Sequence, residues 1–551
     1  MKKRLCTLLL TSLFSLATLI ACGEPEENED DMFDGDEDTP TEKFTFKDDT
    51  SSNYSYDTTV SNENGSMGYE IFVRSYYDSD GDGIGDLRGV AAKLDYLEDL
   101  GIKTVWLMPI HPSPTYHGYD VTDYYGVHPD YGTLDDFDYL ITQATSHHID
   151  IMLDMVFNHS SDRHPWFTTS LKDYAENNEL ETSKKDWYNW SHGSHYKEYN
   201  GTKYYYEGSF DSSMPDLNLS CEAVKDELEN VTKFWIEHGV KGFRLDAVKH
   251  YFTAVSDNVS FLTWLEETAH KYDPNFYMVG EDWESNDRVL QYHQSKCDSF
   301  FKFSSSIEGS GNDAIVSLVK GNGNAQRFGD AIESYEASLK QANPNGYATY
   351  FLSNHDQDRV SKNTTETFAA PAINLLATLP GMSFIYYGEE ILMKGERQNN
   401  DLSDARRRLP MVWSSSDKTG QCAFPETNRQ DLATNAQVSD GVSEQLATPY
   451  SVLNAYRHAI NIRNKYPIFK HGVFTNLTSQ LNATNKNVLA YKITYGDQTL
   501  IFIHNFALVA VEVNPIGTRI VEQMNVTKKI PEIDSQGKLH IAGRSSVILE
   551  Y

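Results

Sequence analysis

Acidic and histidine side chains follow several short apolar runs of this sequence, at the point where each run ends. Asp246, Glu281 and Asp356 occupy such positions, and His159 and His355 lie in the same kind of place. Two carboxyl groups can share one reaction, because one can act as nucleophile while the other donates and accepts a proton. The cleavage of a glycosidic bond needs at least such a pair. The pattern therefore predicts nucleophilic and acid/base chemistry behind a set of buried strands.

Arg244 adds a positive charge to this group of acids. It lies two residues before Asp246, so the alternation of a strand places both side chains on the same face. An arginine there favours the ionised form of Asp246, as a nucleophile requires. Glu281, as the acid, needs a pKa raised by burial or by a neighbouring carboxylate. A lone acid is usually an ordinary surface residue, but three acids and an arginine behind apolar strands form a candidate site.

Strand patterns and helix patterns alternate along the chain, which predicts a parallel α/β sheet. Strands are predicted at 69–74, 103–109, 300–303 and 383–387 and in runs ending at Asn158, Asp246, Glu281 and Asp356; helices are predicted at 90–100, 135–148, 221–239, 259–271, 368–378 and 451–464. This is the order of an α/β fold of the (β/α)8 TIM barrel type. In such a barrel the active site lies at the carboxyl ends of the strands.

Two segments depart from the alternation. Residues 160–213 are polar and aromatic, and so long an excursion after the third strand predicts an inserted functional domain, here called domain B. Residues 466–551 contain short strand patterns without helices, which predicts a C-terminal antiparallel β-sandwich. The barrel is then predicted to comprise residues 61–159 and 214–465.

The N-terminus has the pattern of a targeting segment. Three basic residues precede the apolar stretch 8–20, which is too short to span a membrane comfortably. The residues around Cys22 resemble a bacterial lipobox, so residues 1–21 are predicted to be a lipoprotein signal peptide and Cys22 the lipidated residue. Residues 22–60, acidic at first and poor in large apolar side chains, are predicted to form a disordered tether. These features predict a lipid-anchored protein of the outer membrane, exposed at the cell surface; an ordinary secretory signal is the alternative.

Charge and cysteine content limit the classes of partner and site. A net charge of −33 argues against nucleic acid and against an anionic membrane surface, whereas a neutral polymer would be indifferent to it. Cys221, Cys297 and Cys422 have no metal-site spacing. They are predicted to be buried thiols, or to form at most one disulfide, without a catalytic role.

A glycine-rich loop carries four aspartates, Asp78, Asp80, Asp82 and Asp86. Clustered carboxylates on a flexible turn suit Ca²⁺, and without a cation they would repel one another. The loop begins like an EF-hand, but its twelfth position is Gly89 rather than glutamate, so it is not one. A solvated acidic turn is the alternative interpretation.

Four motifs together resemble the signature regions of the α-amylase family, glycoside hydrolase family 13. They are Asp154-Met-Val-Phe-Asn158-His159, Gly242-Phe-Arg244-Leu-Asp246-Ala-Val-Lys249-His250, Gly280-Glu281-Asp-Trp283 and Asn354-His355-Asp356. Residues 214–218 resemble a fifth region, in the form found between the oligo-1,6-glucosidase and neopullulanase subgroups. Each motif alone is weak evidence, but their shared order and spacing are specific. The resemblance extends from about residue 68 to the C-terminus.

The resemblance implies a role for each matching residue. It implies that Asp246 is the nucleophile, Glu281 the general acid/base, and Asp356 the third carboxylate, which holds the distorted sugar in the −1 subsite. The substrate-binding residues that it implies are Tyr119, His159, Arg244, Lys249, His250 and His355. It also implies a calcium ion held by the four aspartates of the loop and by the carbonyl of Ile84, and it makes Asn158 a candidate ligand of a different calcium site.

The function predicted from these residues is that of a retaining, endo-acting α-amylase that hydrolyses α-1,4 bonds in starch and maltooligosaccharides. In α-amylases the pair Lys249-His250 contacts the +1 sugar, and exo-acting α-glucosidases usually lack it. Ala247 stands where 1,6-cleaving relatives tend to carry valine. Neopullulanase, cyclomaltodextrinase and α-glucosidase remain alternatives, as does a catalytically inactive glycan-binding subunit, against which the intact triad argues. Other glycan-uptake proteins are candidate partners.

Overall fold

The structure is a computed structural model that describes residues 46–48, 65–362, 365–397, 404–425, 438–483, 485–524 and 528–551. The predicted signal peptide, Cys22 and most of the predicted tether lie outside these residues. Residues 46–48 fall inside the predicted tether, and there Asp48 forms an isolated antiparallel bridge with Lys529. Within the described ranges, no helix is both long and apolar enough to cross a membrane.

Eight parallel strands close into a barrel. The first ten strands in chain order are β1 (Met67–Ile71), β2 (Thr104–Leu107), β3 (Asp150–Met155), β4 (Trp190–Tyr199), β5 (Thr202–Tyr206), β6 (Gly242–Leu245), β7 (Tyr277–Gly280), β8 (Ser299–Phe301), β9 (Tyr347–Phe351) and β10 (Met382–Tyr386). The barrel order is β1-β10-β9-β8-β7-β6-β3-β2. It is closed because β1 pairs in parallel with both β10 and β2. The predicted TIM barrel is confirmed.

The barrel strands are buried on both faces, as parallel strands covered by helices are. In β2, Trp106 belongs to a cluster inside the barrel, while its neighbours Val105 and Leu107 pack in the large outer core. The inner cluster consists of Trp106, Met152, Val279, Phe301, Phe303, Tyr347, Phe351, Met382 and Phe384. Alternation along each strand thus fills the interior and leaves the strand ends to carry polar groups.

Helices cover the outside of the barrel, except for the fourth helix of the chain, which belongs to domain B. In chain order they are α1 (Leu87–Ala91), α2 (Leu94–Leu100), α3 (Leu134–Ser146), α4 (Pro165–Ala175), α5 (Glu222–Glu237), α6 (Val255–His270), α7 (Asn286–Tyr292), α8 (Ile315–Val319), α9 (Ala325–Ala342), α10 (Glu366–Leu376), α11 (Val442–Ala447) and α12 (Val452–Lys465). Local signals set their ends: Thr133 and Asp136 form a capping box at the start of α3, and α2 ends at Gly101 with φ 95°.

Domain B lies between β3 and α5 and has regular structure of its own. It contains α4 and the two-stranded antiparallel sheet of β4 and β5. The hairpin turn is Asn200-Gly201, and both residues have positive φ, of 51° and 75°. An Asn-Gly pair favours this turn because both residues tolerate the left-handed conformation.

The C-terminal region contains two antiparallel sheets, as predicted. Its strands are β11 (Val473–Asn476), β12 (Val488–Tyr495), β13 (Gln498–Asn505), β14 (Val511–Val513), β15 (Arg519–Met524), β16 (Glu532–Ile533), β17 (Leu539–Ile541) and β18 (Ser546–Glu550). The sheet orders are β11-β12-β13-β18-β15 and β14-β17-β16. Alternate residues of β13 separate the two faces: Ile501 packs in the core between the sheets, and Phe502 packs in the core shared with the barrel. The larger sheet is therefore buried on both faces at its central strand, β13.

The three described cysteines, Cys221, Cys297 and Cys422, are free thiols, which decides between the two predicted states. Cys297 and Cys422 are buried and Cys221 is half-buried. Burial raises the pKa of Cys297 well above its ordinary value. Such a thiol is a poor nucleophile at neutral pH.

Candidate active site

A cleft of about 430 Å³ opens at the carboxyl ends of the barrel strands. Its lining is His117, Tyr119, His159, Phe210, Met214, Asp246, Ala247, Lys249, His250, Glu281, Trp283, Asp356, Arg397, Asp404, Arg407 and Arg408. A larger cleft, of about 540 Å³, lies at the opposite end of the barrel and contains none of the predicted catalytic or substrate-binding residues. The chemistry of the side chains, rather than size, therefore locates the candidate site.

The end of β6 positions the candidate nucleophile. Asp246 follows the strand directly, and Ala247 then adopts φ 48° and ψ 43°, a left-handed conformation that is uncommon for a residue with a Cβ. This turn directs the N–H of Ala247 to Oε2 of Glu281, which accepts it at 3.1 Å. The backbone that follows Asp246 thus holds the side chain of Glu281. Uncommon backbone conformations of this kind are frequent at active sites.

A single guanidinium group connects three carboxyl groups. Nη1 of Arg244 lies 2.7 Å from Oδ1 of Asp154 and 2.8 Å from Oδ1 of Asp246. Nη2 lies 2.8 Å from Oε2 of Glu281. The Arg244 side chain is 1% exposed, whereas Asp246 and Glu281 are 10% and 11% exposed. The arginine therefore lies beneath the cleft, and the two acids line it.

Burial controls the protonation of both acids. It raises the pKa of Asp246 to about 6, because the loss of solvent outweighs the opposing charge of Arg244, and the charge of Asp154 adds to the rise. The arginine thus does not hold this pKa low, although Asp246 is still ionised at neutral pH. Burial also raises the pKa of Glu281, against Arg244 and together with the charges of Asp246 and Asp356. A raised pKa suits a proton donor.

Asp356 lies in a different electrostatic environment. Its Oδ2 is 3.0 Å from Nε2 of His355, and its Oδ1 accepts a hydrogen bond of 3.0 Å from Nη2 of Arg408. Burial would raise its pKa, but the charges of His355, Arg408 and Arg407 outweigh burial and hold the pKa well below the ordinary value. Asp356 is therefore a permanent anion at the cleft, with a side chain 31% exposed.

His355 is held from behind by a buried carboxylate. Its Nδ1 lies 2.5 Å from Oε1 of Glu70, and its Nε2 lies 2.7 Å from the hydroxyl of Tyr119. Burial lowers the pKa of His355, but the charges of Asp356 and Glu70 outweigh burial and raise it to about 9. The imidazole is therefore positively charged at neutral pH.

The predicted substrate-binding residues surround these acids. The Tyr119 ring stacks on His355 with centroids 5.8 Å apart and planes 17° apart. Phe210 contacts both His159 and His250, with centroid distances of 5.2 and 4.9 Å. Nζ of Lys249 donates to the carbonyl of Trp283 at 3.1 Å. The structure thus brings all six predicted binding residues to the candidate site. Tyr119, His159, Lys249 and His250 line the cleft, whereas His355 and Arg244 are buried behind it.

Asn158, the residue suggested for a second calcium site, lies beside domain B. Its Nδ2 donates to Oδ1 of Asp216 at 3.2 Å. Asp216 also accepts hydrogen bonds from the backbone N–H and the hydroxyl of Ser209. These contacts join the segment after the third barrel strand to the end of domain B.

The predicted calcium loop has oxygen donors close together. Carboxylate oxygens of Asp78, Asp80 and Asp86 lie within 4.8 Å of one another. Asp82 is outside this group, and its Oδ1 accepts the N–H of Ile84 at 2.7 Å. A set of hard carboxylate oxygens on a loop fits the chemistry of Ca²⁺.

The same loop is joined to the segment 404–425, which follows β10. The N–H of Asp78 donates to the carbonyl of Gly420 at 3.0 Å, and the N–H of Ala423 donates to the carbonyl of Gly83 at 2.7 Å. The segment also contains Arg407 and Arg408, which contact Asp356. The loop and the candidate active-site cleft are thus connected through one stretch of chain.

Sequence reasoning missed several residues that hold the site together. Asp154 was quoted only within a motif, yet it receives hydrogen bonds from Arg244, Tyr119 and the indole of Trp106. The signal for Asp154 was an acidic residue inside an apolar run. The same signal was present for Glu70, which lies within the first predicted strand. For Arg408, the signal was three consecutive arginines, 406–408, in a loop.

Two neighbouring acidic side chains at the C-terminal ends of the strands of a closed (β/α)8 barrel are typical of a glycoside hydrolase active site. The comparisons agree with this class. The family model described as "Alpha amylase, catalytic domain" matches residues 70–472. The chain belongs to the α-amylase family of glycoside hydrolases.

Individual relatives cover most of the chain. "Alpha-amylase 3" of Dictyoglomus thermophilum is 36% identical over 481 residues, covering 85% of this chain and 87% of that protein. "Salivary alpha-glucosidase" of Anopheles gambiae is 30% identical, covering 77% of this chain and 80% of that protein. The solved structure "Eubacterium rectale Amy13B" superposes with a TM-score of 0.82 at 35% identity, covering 90% of this chain and 97% of that one. Relatives thus include both amylases and glucosidases.

Proposed function

We propose that this protein is a retaining, endo-acting α-amylase that hydrolyses α-1,4 bonds of starch and maltooligosaccharides. The observation that carries the proposal is Arg244, whose guanidinium group holds Asp246 and Glu281 at 2.8 Å each at the wall of one cleft. A fixed pair of carboxyl groups at one bond is what a two-step displacement requires.

In the first step, Oδ of Asp246 attacks the anomeric carbon and the bond from that carbon to the glycosidic oxygen breaks. Glu281 donates its proton to the departing oxygen. Burial of Glu281 keeps that proton available, because it raises the pKa of this carboxyl. The product of the step is a covalent glycosyl ester on Asp246 and a released chain end.

In the second step, Glu281 is a carboxylate and takes a proton from a water molecule, whose oxygen attacks the anomeric carbon. The ester bond to Asp246 breaks, and the configuration at that carbon is retained. The sugar carries positive charge as the bonds change. Asp356 remains ionised beside it, since His355 and Arg408 hold its pKa well below the ordinary value, and a fixed negative charge stabilises such a transition state.

Residues next to the acids support the proposed bond specificity. Lys249 and His250, which α-amylases use at the +1 sugar, both line the cleft here. Phe210, from the end of domain B, lies against His250 and is 48% exposed. Domain B thus presents an aromatic ring beside His250, where the +1 sugar would lie.

We also propose that Asp78, Asp80, Asp82, Asp86 and the carbonyl of Ile84 bind Ca²⁺. The clustered oxygens of Asp78, Asp80 and Asp86 support this. The ion would neutralise the loop and stabilise its contact with the segment 404–425. It is given no part in the bond-breaking steps.

We infer from the sequence that Cys22 carries a lipid anchor in the outer membrane and places the enzyme at the cell surface beside other glycan-uptake proteins. The lipobox-like residues around Cys22 support this. A Cys22→Ala protein should then fractionate with the soluble proteins, and retention of that variant in the membrane fraction would refute the anchor.

The test of the function is a product time course on soluble amylose and on pullulan, with Asp246→Asn as the inactive control. Rapid loss of iodine staining with α-anomeric maltooligosaccharides of mixed length is expected. Panose from pullulan would instead indicate a neopullulanase, and glucose alone an α-glucosidase. An unmutated protein that turns over neither substrate would contradict the enzyme assignment and favour a binding subunit.

A further inference from the structure

The hairpin of β4 and β5 carries two exposed tyrosines on its outer face. Tyr196 and Tyr205 are directly opposite each other in the antiparallel register. They are 47% and 36% exposed, and both belong to the exposed large hydrophobic side chains of the described residues. Exposed tyrosine rings that lie side by side offer apolar faces and hydroxyl groups to a ligand. We name this pair, with the adjacent Lys203 and Glu198, the hairpin platform.

The inner face of the same hairpin is firmly packed. Tyr206 is fully buried, and its ring lies 5.0 Å from that of Phe167 in α4. At the start of β4, Trp190 stacks on Tyr174 of α4 with centroids 4.6 Å apart and planes 14° apart. A hairpin alone is marginally stable, so this packing is what fixes the position of the outer rings.

The two rings are inclined to each other. Their centroids are 6.0 Å apart and their planes meet at 59°. Nζ of Lys203 lies 4.1 Å from the centroid of Tyr196 and supports that ring. Two rings inclined in this way do not form one flat surface. A surface of inclined rings fits a curved chain better than a flat one, and chains of α-1,4-linked glucose curve whereas β-1,4-linked chains run straight.

The platform continues toward the catalytic cleft. Phe210, at the cleft wall, follows Tyr205 by five residues, so their Cα atoms lie at most about 18 Å apart. The platform has one basic and one acidic side chain, so it has no charge preference, which suits a neutral polymer. Tyrosine offers an apolar ring face and a hydroxyl, the combination that matches a sugar.

We propose that the hairpin platform is a second binding site for α-glucan chains, outside the catalytic cleft, with Tyr196 and Tyr205 as its contact residues. This proposal rests on the proposed function for the identity of its ligand. It gives domain B the role of holding polymer near the cleft, and short oligosaccharides that fill only the cleft would not use it. A second copy of this chain, paired along the open edges of the hairpin, is the competing occupant.

The test compares the double variant Tyr196→Ala/Tyr205→Ala with Tyr495→Ala, whose tyrosine is also 47% exposed but lies on the C-terminal sheet. Binding is measured by affinity electrophoresis in gels containing amylose or a mixed-linkage β-glucan, with Asp246→Asn in every protein so that the polymer survives. Activity is measured separately, without that substitution, on maltotetraose and on granular starch.

The double variant is expected to bind amylose at least about fivefold more weakly, which corresponds to about 1 kcal/mol, and to lose activity on granules in similar proportion. Its kcat/KM on maltotetraose should stay within about twofold of the parent, and Tyr495→Ala should match the parent throughout. None of the proteins should be retarded by the β-glucan.

Unchanged amylose binding by the double variant would overturn the proposal, as would equal retardation of the parent by both polymers. A fall in oligomeric state on gel filtration with light scattering, without loss of binding, would assign the face to a second copy. If the double variant does not fold, Tyr205→Ala alone is measured by the same criteria. If the unmutated enzyme does not hydrolyse maltotetraose, the proposed function is refuted instead. The affinity electrophoresis would still test whether the hairpin platform binds amylose.

Discussion

His355 and Glu70 are 285 residues apart in sequence, yet 2.5 Å separates Nδ1 of the histidine from Oε1 of the glutamate. Both side chains are buried, at 0% and 2% exposure. With Asp356 on the other ring nitrogen, the histidine lies between two carboxylates. Through His355, β1 thus supports Asp356, the acid that follows β9. Neither segment alone would indicate this contact.

Replacing Glu70 with Gln tests this support. The substitution keeps the shape of the side chain but removes one of the two charges that raise the pKa of His355 to about 9. The free energy of unfolding should fall by about 2 kcal/mol, the scale of a hydrogen bond to a charged group, and kcat should fall because Asp356 loses a fully charged partner. Urea denaturation and initial rates on maltotetraose measure the two effects.

The matched control is Glu98→Gln. Glu98 also pairs with a histidine, His147, at 2.8 Å, but the two side chains are 25% and 21% exposed. Its loss should cost under about 1 kcal/mol, as exposed pairs do, and leave kcat unchanged. Equal losses of stability from the two substitutions would show that the buried pair has no special contribution.

The sequence predicted the strands that carry the candidate acids better than it predicted the contacts that organise those acids. Apolar runs that end in acids located β6 and β7, because parallel strands are buried on both faces and their ends are not. The partners of those acids could not be predicted, because Glu70 and Arg408 approach them only after the barrel closes. No local pattern specifies which strands become neighbours.

Domain B shows a different limit. Residues 160–213 were predicted only as an insertion, since their aromatic residues follow no clear period. The Asn200-Gly201 turn was a usable hairpin signal, but which face of the hairpin is buried depends on α4. Tyr205 and Tyr206 are adjacent and identical in type, yet one is 36% exposed and the other fully buried.

Arg244→Lys should nearly abolish activity. The guanidinium group contacts Asp154, Asp246 and Glu281 at once, whereas a lysine ammonium is a single point that cannot reach all three. We expect kcat/KM on maltotetraose to fall by about a hundredfold or more, the scale on which one stabilising donor acts in a transition state.

Arg519→Lys controls for the change of residue type. Arg519 lies in an exposed pair, with Nη2 2.7 Å from Oε1 of Glu550, so this variant should keep the activity of the parent. A folded Arg244→Lys protein with at least half the normal rate would contradict the assigned role of the guanidinium group.

The rate should fall on the acid side near pH 6. Burial raises the pKa of Asp246 to about 6, and a protonated carboxyl cannot attack the anomeric carbon. Because protonation increases as the pH falls, kcat/KM should be high above this pKa and drop about tenfold for each pH unit well below it. The measurement is the pH dependence of kcat/KM on maltotetraose. Because Asp246 interacts with the neighbouring acids, the pKa of the acid limb of this profile describes the interacting acids as a set.

Asp282→Asn distinguishes Asp246 from its buried neighbour. Burial raises the pKa of Asp282 to about 7, and the residue lies directly after Glu281 but does not line the cleft. If Asp246 sets the acid limb, this substitution should leave a limb near pH 6 in place. Disappearance of the limb in Asp282→Asn would transfer its origin to that residue.

Removal of calcium should lower thermal stability before it affects chemistry. An ion that binds only the folded state stabilises it by about 2.7 kcal/mol at a hundred times its Kd. The predicted ligands Asp78 and Asp86 flank the loop that is hydrogen-bonded to Gly420 and Ala423. A chelator should therefore lower Tm and increase proteolysis within the segment 404–425, and added Ca²⁺ should reverse both effects.

Asp80→Asn should weaken this response, so that more Ca²⁺ is needed to restore the same Tm, because one charged ligand becomes neutral. The control is Asp95→Asn, which alters a second cluster of candidate ligands among the described residues, Asp95, Glu98 and His147. That variant should respond to Ca²⁺ as the parent does. A Tm that the chelator does not change would refute the metal site, and a response lost only in Asp95→Asn would move it to the second cluster.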